Sequence, residues 1–360
     1  MRSVGQIYGT KQSTPGINII NPFRRTDHIG CYEASKILLG CLTLVPLRLS
    51  TSCLVLLISW LIAVPLATVG GRCHAPFFVS LARLVVRIGA RLLLFCFGFF
   101  WIRVDSSRRT TSRIIVSNHR SYLDILFFLY HDCPAFVMKE EVLRVPFIST
   151  IATTVLGSIT VSQLTPSRCS DAIARRVEAA PLTLGPLLVF AEGTTTNGTA
   201  LLPFKSGAFV MGRPVTPVAL DYPHSYFNCS HESIFMKNHL LRLCSQFFNC
   251  MTVTFLPSYI PSPAEKQTPA LFARNVQQVV AAALSVPALL LPSEDASEGL
   301  STYITYRDKL RWHGEMRAAY RQHLRCRCCC ICCVSLWWPA GDLKERVDNG
   351  RDGEKDYTIL

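Results

Sequence analysis

Charged residues are scarce in this chain of 360 residues. They account for 17% of the sequence, whereas apolar residues account for 49%, and the mean hydropathy is +0.28. A soluble domain usually carries charge on about a quarter of its residues, so this composition disfavours an ordinary soluble protein and favours association with a membrane. Acidic residues are the scarcer sign: 24 stand against 37 basic residues, which gives a net charge of +13. That excess suits an anionic membrane surface, acidic substrates or nucleic acid.

Several sequence signatures are missing, and each absence argues against a class of protein. No zinc-finger spacing, RNA-binding aromatic signature or basic region followed by heptads occurs, which disfavours nucleic acid as a partner. No Gly-x-Ser-x-Gly segment is present, so we expect no serine-nucleophile elbow. No Asp-x-Asp-x-Asp-Gly loop with a terminal glutamate occurs, so we expect no calcium module of that kind. The N-terminus lacks an early apolar core, so we expect no signal peptide.

The sequence divides into four parts by composition. Residues 1–30 are polar and are expected to form a mobile N-terminus. Residues 31–105 contain the long apolar runs and are expected to form membrane-associated helices. Residues 106–290 are expected to form a catalytic domain, and residues 291–360 a basic, cysteine-rich tail.

The longest uncharged run spans residues 49–71 and has 23 residues, enough to cross a bilayer core of about 30 Å. Pro46 and Pro65 interrupt this region, and proline kinks a helix. Two interpretations therefore remain open. The region forms either one spanning helix or a helical hairpin that enters and leaves the same leaflet.

Three arginines follow at four-residue intervals, at Arg83, Arg87 and Arg91. On a helix they form one basic stripe opposite an apolar face. One interpretation is a helix in the membrane interface with its arginines towards lipid phosphates. The other is a core helix with a solvated charged face.

Short apolar runs alternate with helical stretches in the expected catalytic domain. This alternation predicts an α/β fold with a mostly parallel sheet flanked by helices, preceded by the N-terminal membrane helices. Motifs at strand ends would then lie at the edge where such sheets place their sites. The predicted strands are Arg113–Ser117, Ala135–Met138, Leu187–Ala191, Val215–Leu220 and Met251–Leu256, and the predicted helices are Tyr122–Tyr130, Pro146–Leu156, Cys169–Ala180 and Pro269–Leu284.

His119 and Asp124 lie five residues apart, directly after the apolar run at 114–116. Five residues of straight helix make about 500° of rotation, so the two side chains would not share a helix face. They can meet if His119 lies in the loop leaving a strand and Asp124 lies in the first turn of the next helix. An imidazole held by a carboxylate can take a proton from a hydroxyl. The pair is therefore the predicted catalytic centre.

A second polar segment, Glu-Gly-Thr-Thr-Thr-Asn-Gly at residues 192–198, follows another predicted strand. Gly193 allows a tight turn and the close approach of a substrate. Glu192 could accept hydrogen bonds from substrate hydroxyls or could position the loop. The two segments together are much harder to obtain by chance than the histidine–aspartate pair alone.

In this order the motifs resemble those of the membrane-bound glycerolipid and lysophospholipid acyltransferases, in particular the lysophosphatidylcholine and lysophosphatidylethanolamine acyltransferase branch. The resemblance covers about residues 21–284 and is most specific at the first and third motifs. It rests on Asn-Pro-Phe at 21–23, Ser-Tyr-Leu-Asp at 121–124, the segment 192–198, Phe-Lys-Ser-Gly-Ala-Phe at 204–209, Arg-Pro-Val-Thr-Pro-Val at 213–218, Gln-Phe-Phe-Asn at 246–249 and Leu-Pro-Ser-Tyr-Ile-Pro-Ser at 256–262.

The resemblance implies transfer of an acyl group from acyl-CoA to the free hydroxyl of a lysophospholipid, with lyso-PC or lyso-PE favoured. Acyl-CoA would be a co-substrate, and no cofactor or metal is expected. A solvated surface role is the alternative for the two lysines of the expected site, and a structural role is the alternative for its proline. His119 and Asp124 are the expected catalytic residues, and the expected substrate-binding residues are Asn118, Lys139, Glu192, Gly193, Thr194, Asn197, Lys205 and Pro217.

One position departs from the family pattern: Gln163 stands where the family usually has an arginine thought to contact the acceptor phosphate. Arg168 is a candidate substitute. The departure leaves the affinity for the acceptor and its identity open. Lysophosphatidate is an alternative acceptor, because the same motifs serve it. The departure also leaves open a protein of another class, a catalytically inactive membrane scaffold that keeps the fold.

Sixteen cysteines are present without the pattern of a secreted disulfide framework, so we expect a reducing compartment. Six of them crowd the tail beside arginines and tryptophans. S-palmitoylation is the favoured interpretation of this cluster, with zinc binding or an unmodified apolar tail as the alternatives. The six are Cys326, Cys328, Cys329, Cys330, Cys332 and Cys333.

Two glycosylation sequons begin at Asn197 and Asn228, and the first lies inside the expected site. A glycan there would block the chemistry, so we expect the catalytic face to be cytosolic. The family resemblance adds the endoplasmic reticulum as the expected membrane.

Overall fold

Seven strands form one sheet in the computed structural model, which describes residues 22–289 except 24, 26, 28, 107–111, 162–165, 180–184 and 233. The five predicted strands are confirmed to within two residues at each end, and two further strands were missed. The strands are β1 (Ile102–Ser106), β2 (Ile114–Ser117), β3 (Ala135–Lys139), β4 (Ile159–Val161), β5 (Leu187–Phe190), β6 (Val215–Asp221) and β7 (Met251–Phe255).

The strand order is β1-β7-β6-β2-β5-β3-β4. All neighbouring strands are parallel except β6 and β7. The predicted α/β class with a mostly parallel sheet is confirmed. Residues 102–105 were expected to belong to the membrane-associated helices. The sheet begins at Ile102, so these residues belong to the catalytic fold instead. Strand β1 escaped prediction because it is an exposed edge strand with little apolar content.

Helices cover both faces of the sheet. All four helices predicted in the catalytic domain are present, although the one expected at Pro146–Leu156 is an α-helix followed by a π-helical turn at Ile151–Val155. The polar helix at Met236–Ser245 and the five-residue helix at Pro263–Gln267 were missed. The helices are α1 (Cys31–Leu42), α2 (Leu44–Arg72), α3 (Pro76–Cys96), α4 (Tyr122–His131), α5 (Pro146–Thr150), α6 (Pro166–Ala179), α7 (Met236–Ser245), α8 (Pro263–Gln267) and α9 (Pro269–Leu284).

The two faces of β2 show why the core has two layers. Ile115 points into the cluster that α3 and α4 complete, whereas Ile114 and Val116 point into the cluster that α6 and α9 complete. Successive side chains of a strand alternate between faces, and a parallel strand covered on both sides can be apolar at every position. Burial therefore fixes β2 in the middle of the sheet, and its carboxyl end becomes a rigid place for a site.

Helices α2 and α3 form an antiparallel hairpin. The glycines that allow the close approach are Gly70, which lies against Val79, and Gly89, which lies against Ser59. Among the described helices, α2 is the one long and apolar enough to cross a membrane; it has 29 residues and includes Pro65. Its outer face and that of α3 expose many large apolar side chains.

The arginine stripe of α3 binds backbone carbonyls, although Arg87 itself remains exposed. Arg83 donates to the carbonyl of Cys133, Arg87 donates to the carbonyls of Tyr130 and His131, and Arg91 donates to two carbonyls that follow α3. Carbonyls at the end of a helix lack partners within it and carry partial negative charge. The stripe therefore fastens the hairpin to the end of α4, a protein contact that neither sequence interpretation included.

The expected mobile N-terminus does not hold for the part that the structure describes. Phe23 is buried, and Arg25 and Asp27 form a buried ion pair. Arg25 also donates to the carbonyls of Asn228 and Ser230. Residues 291–360, including the tail cysteines, and Gln163 lie outside the described residues.

Candidate active site

The carboxyl ends of three neighbouring strands, β6, β2 and β5, meet at one edge of the sheet, here called the site edge. Strand β2 leads into His119, β5 leads into Glu192 and β6 leads into Tyr222. Parallel packing brings these residues together although they are up to a hundred positions apart. The topology thus assembles the two sequence motifs as expected, at the edge where α/β sheets bind ligands.

His119 and Asp124 are hydrogen-bonded, with 2.9 Å between His119 Nδ1 and Asp124 Oδ2. His119 lies in the loop after β2 and Asp124 lies in the first turn of α4, as the five-residue spacing predicted. Ser121 is the N-cap of α4, and Asp124 completes a capping box with it. Local folding therefore places the carboxylate before any substrate is present.

Asp124 is fully buried and saturated with donors. Besides His119, its Oδ2 accepts the backbone N–H groups of Arg120 at 2.7 Å and Ser121 at 3.0 Å. Its Oδ1 accepts the hydroxyl of Tyr222. Burial, and then the negative charge of Asp124, raise the pKa of Tyr222 well above its usual range, so this hydroxyl stays protonated and donates. Tyr222 was not predicted; its position directly after β6 was the available signal.

The imidazole of His119 is held from a second side by Phe190. The two rings are stacked with centroids 4.0 Å apart and planes 13° apart. His119 Nε2 makes no hydrogen bond to the described residues, and the side chain is partly exposed. The ring therefore presents one free nitrogen to the outside of the site edge while the other is fixed.

Glu192 is buried and binds backbone on both oxygens. Oε1 accepts the N–H of His119 at 2.8 Å, and Oε2 accepts the N–H of Leu202 at 3.1 Å. Burial raises the pKa of Glu192 to about 8, against the opposing effect of these two hydrogen bonds. Of the two roles considered from the sequence, this geometry supports the positioning of the loop.

Arg120, which was not predicted, joins the loops around the dyad. Its buried guanidinium donates to the carbonyl of Asn197, to the side chains of Ser230 and Asn228, and to Asp221. A buried arginine with this many acceptors holds several chain segments in one geometry. Arg120 had no separate signal in the sequence, since it lies inside the first motif between two residues that were already assigned.

Asn118 and Pro217 are built into the sheet. Both ends of the Asn118 amide bond the backbone of Leu220, at 2.8 and 2.9 Å. Pro217 is buried within β6, opposite Val116 of β2. These two positions hold strands together, and the structural alternative for Pro217 agrees with this location.

Gly193 and Lys205 lie against each other. Gly193 has a φ of +67°, and a Cβ there would lie 2.6 Å from Lys205 Nζ, so glycine is required by both backbone and space. Lys205 is exposed, and its ammonium group lies beside the Glu192 loop. Thr194 is half-buried in that loop. Lys139 ends β3, but its side chain is outside the described part of the structure.

Both sequon asparagines are buried. Asn197 accepts the N–H and the hydroxyl of Thr199, and its own N–H donates to the carbonyl of Pro22. Asn228 donates from its amide to the carbonyl of Asn197. Neither side chain is available for a glycan in the folded chain, and Asn197 acts as a turn residue.

A second histidine, His231, lies beside the dyad loop and was not predicted. Its N–H donates to the carbonyl of Arg120, and its ring lies 5.8 Å from that of Tyr122. Burial lowers the pKa of His231 to about 4, and the charge of Arg25 adds to this effect. The ring is therefore neutral at physiological pH and does not compete with His119 as a charged group.

The described residues contain no group of three or more His, Cys, Asp or Glu side chains that could hold a metal ion. The arrangement instead offers one imidazole with a free nitrogen and a buried carboxylate behind it. This is the equipment for moving a proton to and from a hydroxyl group.

Comparison with known proteins identifies the family. A family model described as Acyltransferase matches residues 102–221. The lysophospholipid acyltransferase LPEAT1 of Arabidopsis thaliana is 34% identical over 320 residues, which cover 72% of this chain and 80% of that protein. The chain belongs to the lysophospholipid acyltransferase family. The region matched by the family model runs from β1 to the end of β6 and contains His119, Asp124 and Glu192.

Two further relatives of this acyltransferase are longer. LPEAT2 of Arabidopsis thaliana is 33% identical over 75% of this chain and 51% of its own length. The lysophosphatidylcholine acyltransferase of Drosophila melanogaster is 30% identical over 76% of this chain and 54% of its own length. The chain thus spans about half the length of these two relatives and most of LPEAT1. The resemblance drawn from the motifs is confirmed at the level of the family and its branch.

Proposed function

We propose that this acyltransferase moves an acyl group from acyl-CoA to the free hydroxyl of a lysophospholipid. The observation that carries the proposal is the bond between His119 Nδ1 and Asp124 Oδ2 at the site edge, which leaves Nε2 free. An alcohol is a poor nucleophile at neutral pH and needs a base in the transition state. The names of the relatives supply the substrate class, and the dyad supplies the chemistry.

In this reaction His119 takes up one proton and then releases it. Nε2 takes the proton of the acceptor hydroxyl as its oxygen attacks the thioester carbonyl carbon. The carbon–sulfur bond then breaks, and the departing CoA sulfur takes the proton from the imidazolium. Asp124 fixes the Nδ1–H tautomer and stabilises the positive charge while the ring holds the proton. No covalent acyl-enzyme is needed, and no cofactor beyond acyl-CoA enters this scheme.

Lyso-PC and lyso-PE are the favoured acceptors in this proposal, because the motifs resemble that branch and the similar proteins are named lysophospholipid and lysophosphatidylcholine acyltransferases. Lys205 is the described cation best placed for the acceptor phosphate, since its ammonium group lies against Gly193 beside the site. Lysophosphatidate, lyso-PC and lyso-PE all carry this phosphate, so a contact with Lys205 does not discriminate between them. Parallel assays with the three acceptors, described below, make that distinction.

The inactive-scaffold alternative finds no support in the site geometry. A scaffold needs the sheet but does not need a buried carboxylate saturated by four donors behind a histidine with a free nitrogen. Burying a charged carboxylate costs desolvation free energy unless the group is fully hydrogen-bonded. A catalytic role for the histidine explains why the protein buries this carboxylate behind it.

We further propose that the protein works at a membrane, with the endoplasmic reticulum as the expected organelle and the site facing the cytosol. Support comes from the exposed apolar faces of α1, α2 and α3 and from the lipid substrates of the named relatives. The hairpin of α2 and α3 lies along the catalytic domain, which favours insertion into one leaflet over a crossing by α2 alone. S-palmitoylation of the tail cysteines remains part of this proposal.

The test is acyl transfer by membranes that contain the full chain or its His119→Ala variant. Labelled acyl-CoA is offered with lyso-PC, lyso-PE and lyso-PA in parallel, and His74→Asn at the hairpin tip is the histidine control. We expect product from the wild type and the control, and a loss of at least about 10³-fold in the His119 variant. Comparable turnover in the His119 variant would reject the mechanism, and no product from folded wild type with any acceptor would reject the function.

A further inference from the structure

Three large aromatic side chains project from the molecule close to the catalytic centre. Trp101 is 85% exposed, Phe247 is 56% exposed and Phe248 is 69% exposed. Large aromatic residues normally contribute to a core, so three together on a surface indicate a contact with something apolar. We call these three residues the aromatic rim.

Strand register places the aromatic rim at the site edge. Ile102 of β1 pairs with Met251 of β7, and Thr252 of β7 pairs with Asp221 of β6. Because β7 runs antiparallel to β6, the amino ends of β1 and β7 lie at the carboxyl end of β6. Trp101 precedes β1, and Phe247 and Phe248 precede β7. With about 4.8 Å between strands, β7 lies roughly 10 Å and β1 roughly 14 Å along this edge from β2, the strand that leads into His119.

The backbone that carries the two phenylalanines is fixed from inside. Buried Arg48 donates to the carbonyls of Cys244, Gln246 and Phe247. The next residue but one, Asn249, donates to the carbonyls of Phe97 and Gly98. The loop is therefore anchored to the ends of the helical hairpin, and the outward direction of its two rings is imposed by the anchored backbone.

The rim continues an apolar surface formed by the helices. Arg48 belongs to α2, and Phe97 and Gly98 follow α3, so both helices meet the rim at the site edge. Leu42 and Leu47, at the junction of α1 and α2, are exposed, and the adjacent Arg48 binds the carbonyls of this loop. From there the exposed apolar face runs along α2, the helix long and apolar enough to enter a membrane.

We propose that the aromatic rim rests in the interface of the lipid leaflet and holds the site edge against it. Aromatic side chains favour that depth, where an apolar ring meets polar headgroups. The inference rests on the proposed function, since a lysophospholipid must bring its hydroxyl to His119 while its acyl chain stays in the leaflet. The rim sets the height at which this happens.

A lipid surface is favoured over a protein partner by the continuity of the rim with α2. A partner protein would have to cover both the rim and the exposed length of a helix of 29 residues. A leaflet covers both with one surface. Capture of the rim by a second copy of the chain is the competing outcome, and it would place the rim in a protein contact and not at a lipid depth.

The first experiment measures depth and needs no activity. The full chain carries Trp101→Phe to lower the background and Phe248→Trp as the probe, and it is reconstituted in vesicles with lipids brominated at shallow or deep acyl positions. The control probe is Ile260→Trp, since Ile260 is 74% exposed but follows the carboxyl end of β7 at the opposite edge of the sheet. We expect shallow bromines to quench the added fluorescence at 248 and to leave that at 260 unchanged.

The second experiment measures turnover with the double variant Phe247→Ser, Phe248→Ser in vesicles, with Ile260→Ser as the matched control. Acceptor is supplied either in the bilayer or as a short-chain monomer in water. We expect at least a tenfold loss of kcat/KM for bilayer acceptor, given the apolar area of two rings, and less than a twofold change for the monomer. The control should match the wild type with both.

Failure of the rim and failure of the proposed function give different results. Absence of lipid quenching at position 248, or quenching equal to that at 260, overturns the rim whatever the activity. Equal loss with bilayer and monomer acceptors also overturns it, because damage is then not specific to the surface. Quenching at 248 in a chain without acyl transfer to any acceptor would keep the rim as a lipid contact and reject the proposed function.

Discussion

Two buried carboxylates of this acyltransferase follow neighbouring strands, and they differ in the groups that they bind. Asp124, after β2, accepts from the imidazole of His119 and from the hydroxyl of Tyr222. Glu192, after β5, accepts two backbone N–H groups. The same functional group thus controls the base at one strand end and the shape of the loop at the other, and its partners decide which.

The comparison separates a direct effect on proton transfer from an effect of geometry. Loss of the Asp124 charge should remove the stabilisation of the imidazolium and the tautomer of the base. Loss of the Glu192 carboxylate should let the backbone of His119 move. Four changes, ordered from the largest expected effect on turnover to the smallest, test this division.

Asp124→Asn should have the largest effect. An amide at this position no longer stabilises the positive ring and can present a donor to Nδ1, which favours the wrong tautomer. We expect kcat to fall by about 10³-fold or more, the order seen when such a carboxylate is neutralised. Steady-state transfer by reconstituted protein measures it, with exposed Asp171→Asn of α6 as the control. A fall of less than tenfold would show that Asp124 only caps α4.

Glu192→Gln should lower kcat by about 10- to 100-fold, because a misplaced base costs orientation and not charge. If Glu192 acts through the backbone of His119, the fall should be similar for every acceptor, with KM changed by less than about twofold. Kinetics with lyso-PC, lyso-PE and lyso-PA provide the measurement. Exposed Glu178→Gln should behave as wild type. A rise of KM for selected acceptors would instead make Glu192 a substrate contact.

Tyr222→Phe removes one donor from Asp124 and leaves the Glu192 loop untouched. A hydrogen bond to a charged group is worth about 1.5–3 kcal/mol, so we expect kcat to fall by roughly 10-fold, with the unfolding midpoint slightly lower. Tyr226→Phe, on the exposed part of the following loop, is the matched control. Turnover equal to wild type would mean that the two backbone donors suffice to hold Asp124.

The pH dependence of stability should report Glu192 with little effect on turnover. Burial raises the pKa of Glu192 from its usual 4.5 to about 8. The folded state therefore binds this proton more tightly than the unfolded state, so the stabilisation is complete below pH 4.5 and is lost as the pH rises towards 8. Its loss is at most about 1.4 kcal/mol per pH unit.

Denaturant unfolding of wild type and Glu192→Gln at about pH 5, 6.5, 8 and 9.5, on both sides of the raised pKa of Glu192, measures this effect. The wild type should lose stability relative to the variant as the pH rises, and the gap should stop growing above about pH 8. If the unfolding free energies of the two proteins instead change in parallel with pH, Glu192 is ionised over the whole range. Glu192 and Asp124 would then differ only in their hydrogen-bond partners.

Sequence periodicity predicted most of the sheet because the central strands are apolar on both faces and the intervening helices are amphipathic. Strands β2, β5 and β6 appeared as short apolar runs, and each ends at a residue of the site. Strand β1 and helix α7 were missed because their residues are polar or exposed. Strand β1 is stabilised by pairing with β7, and helix α7 is stabilised by packing against α1 and α2. Neither contact can be predicted from the local pattern of apolar residues.

The arginines of the hairpin show the same limit. Arg83, Arg87 and Arg91 have the spacing of a stripe, and spacing alone cannot say whether a stripe meets lipid, water or protein. Their partners are carbonyls at the end of α4 and after α3. Every residue has a backbone carbonyl, so the pattern of side chains cannot predict which carbonyls the arginines bind.

The sequence by itself determined the class of the fold, the family and the pair His119–Asp124, because chemistry of this kind needs particular residue types at a particular local spacing. Only the tertiary structure decided the partners of that pair. Tyr222, Phe190 and Glu192 reach His119 and Asp124 through strand order, since residues distant in the chain become neighbours when parallel strands end at one edge. The same strand order places Trp101, Phe247 and Phe248 at the same edge of the sheet as the catalytic centre.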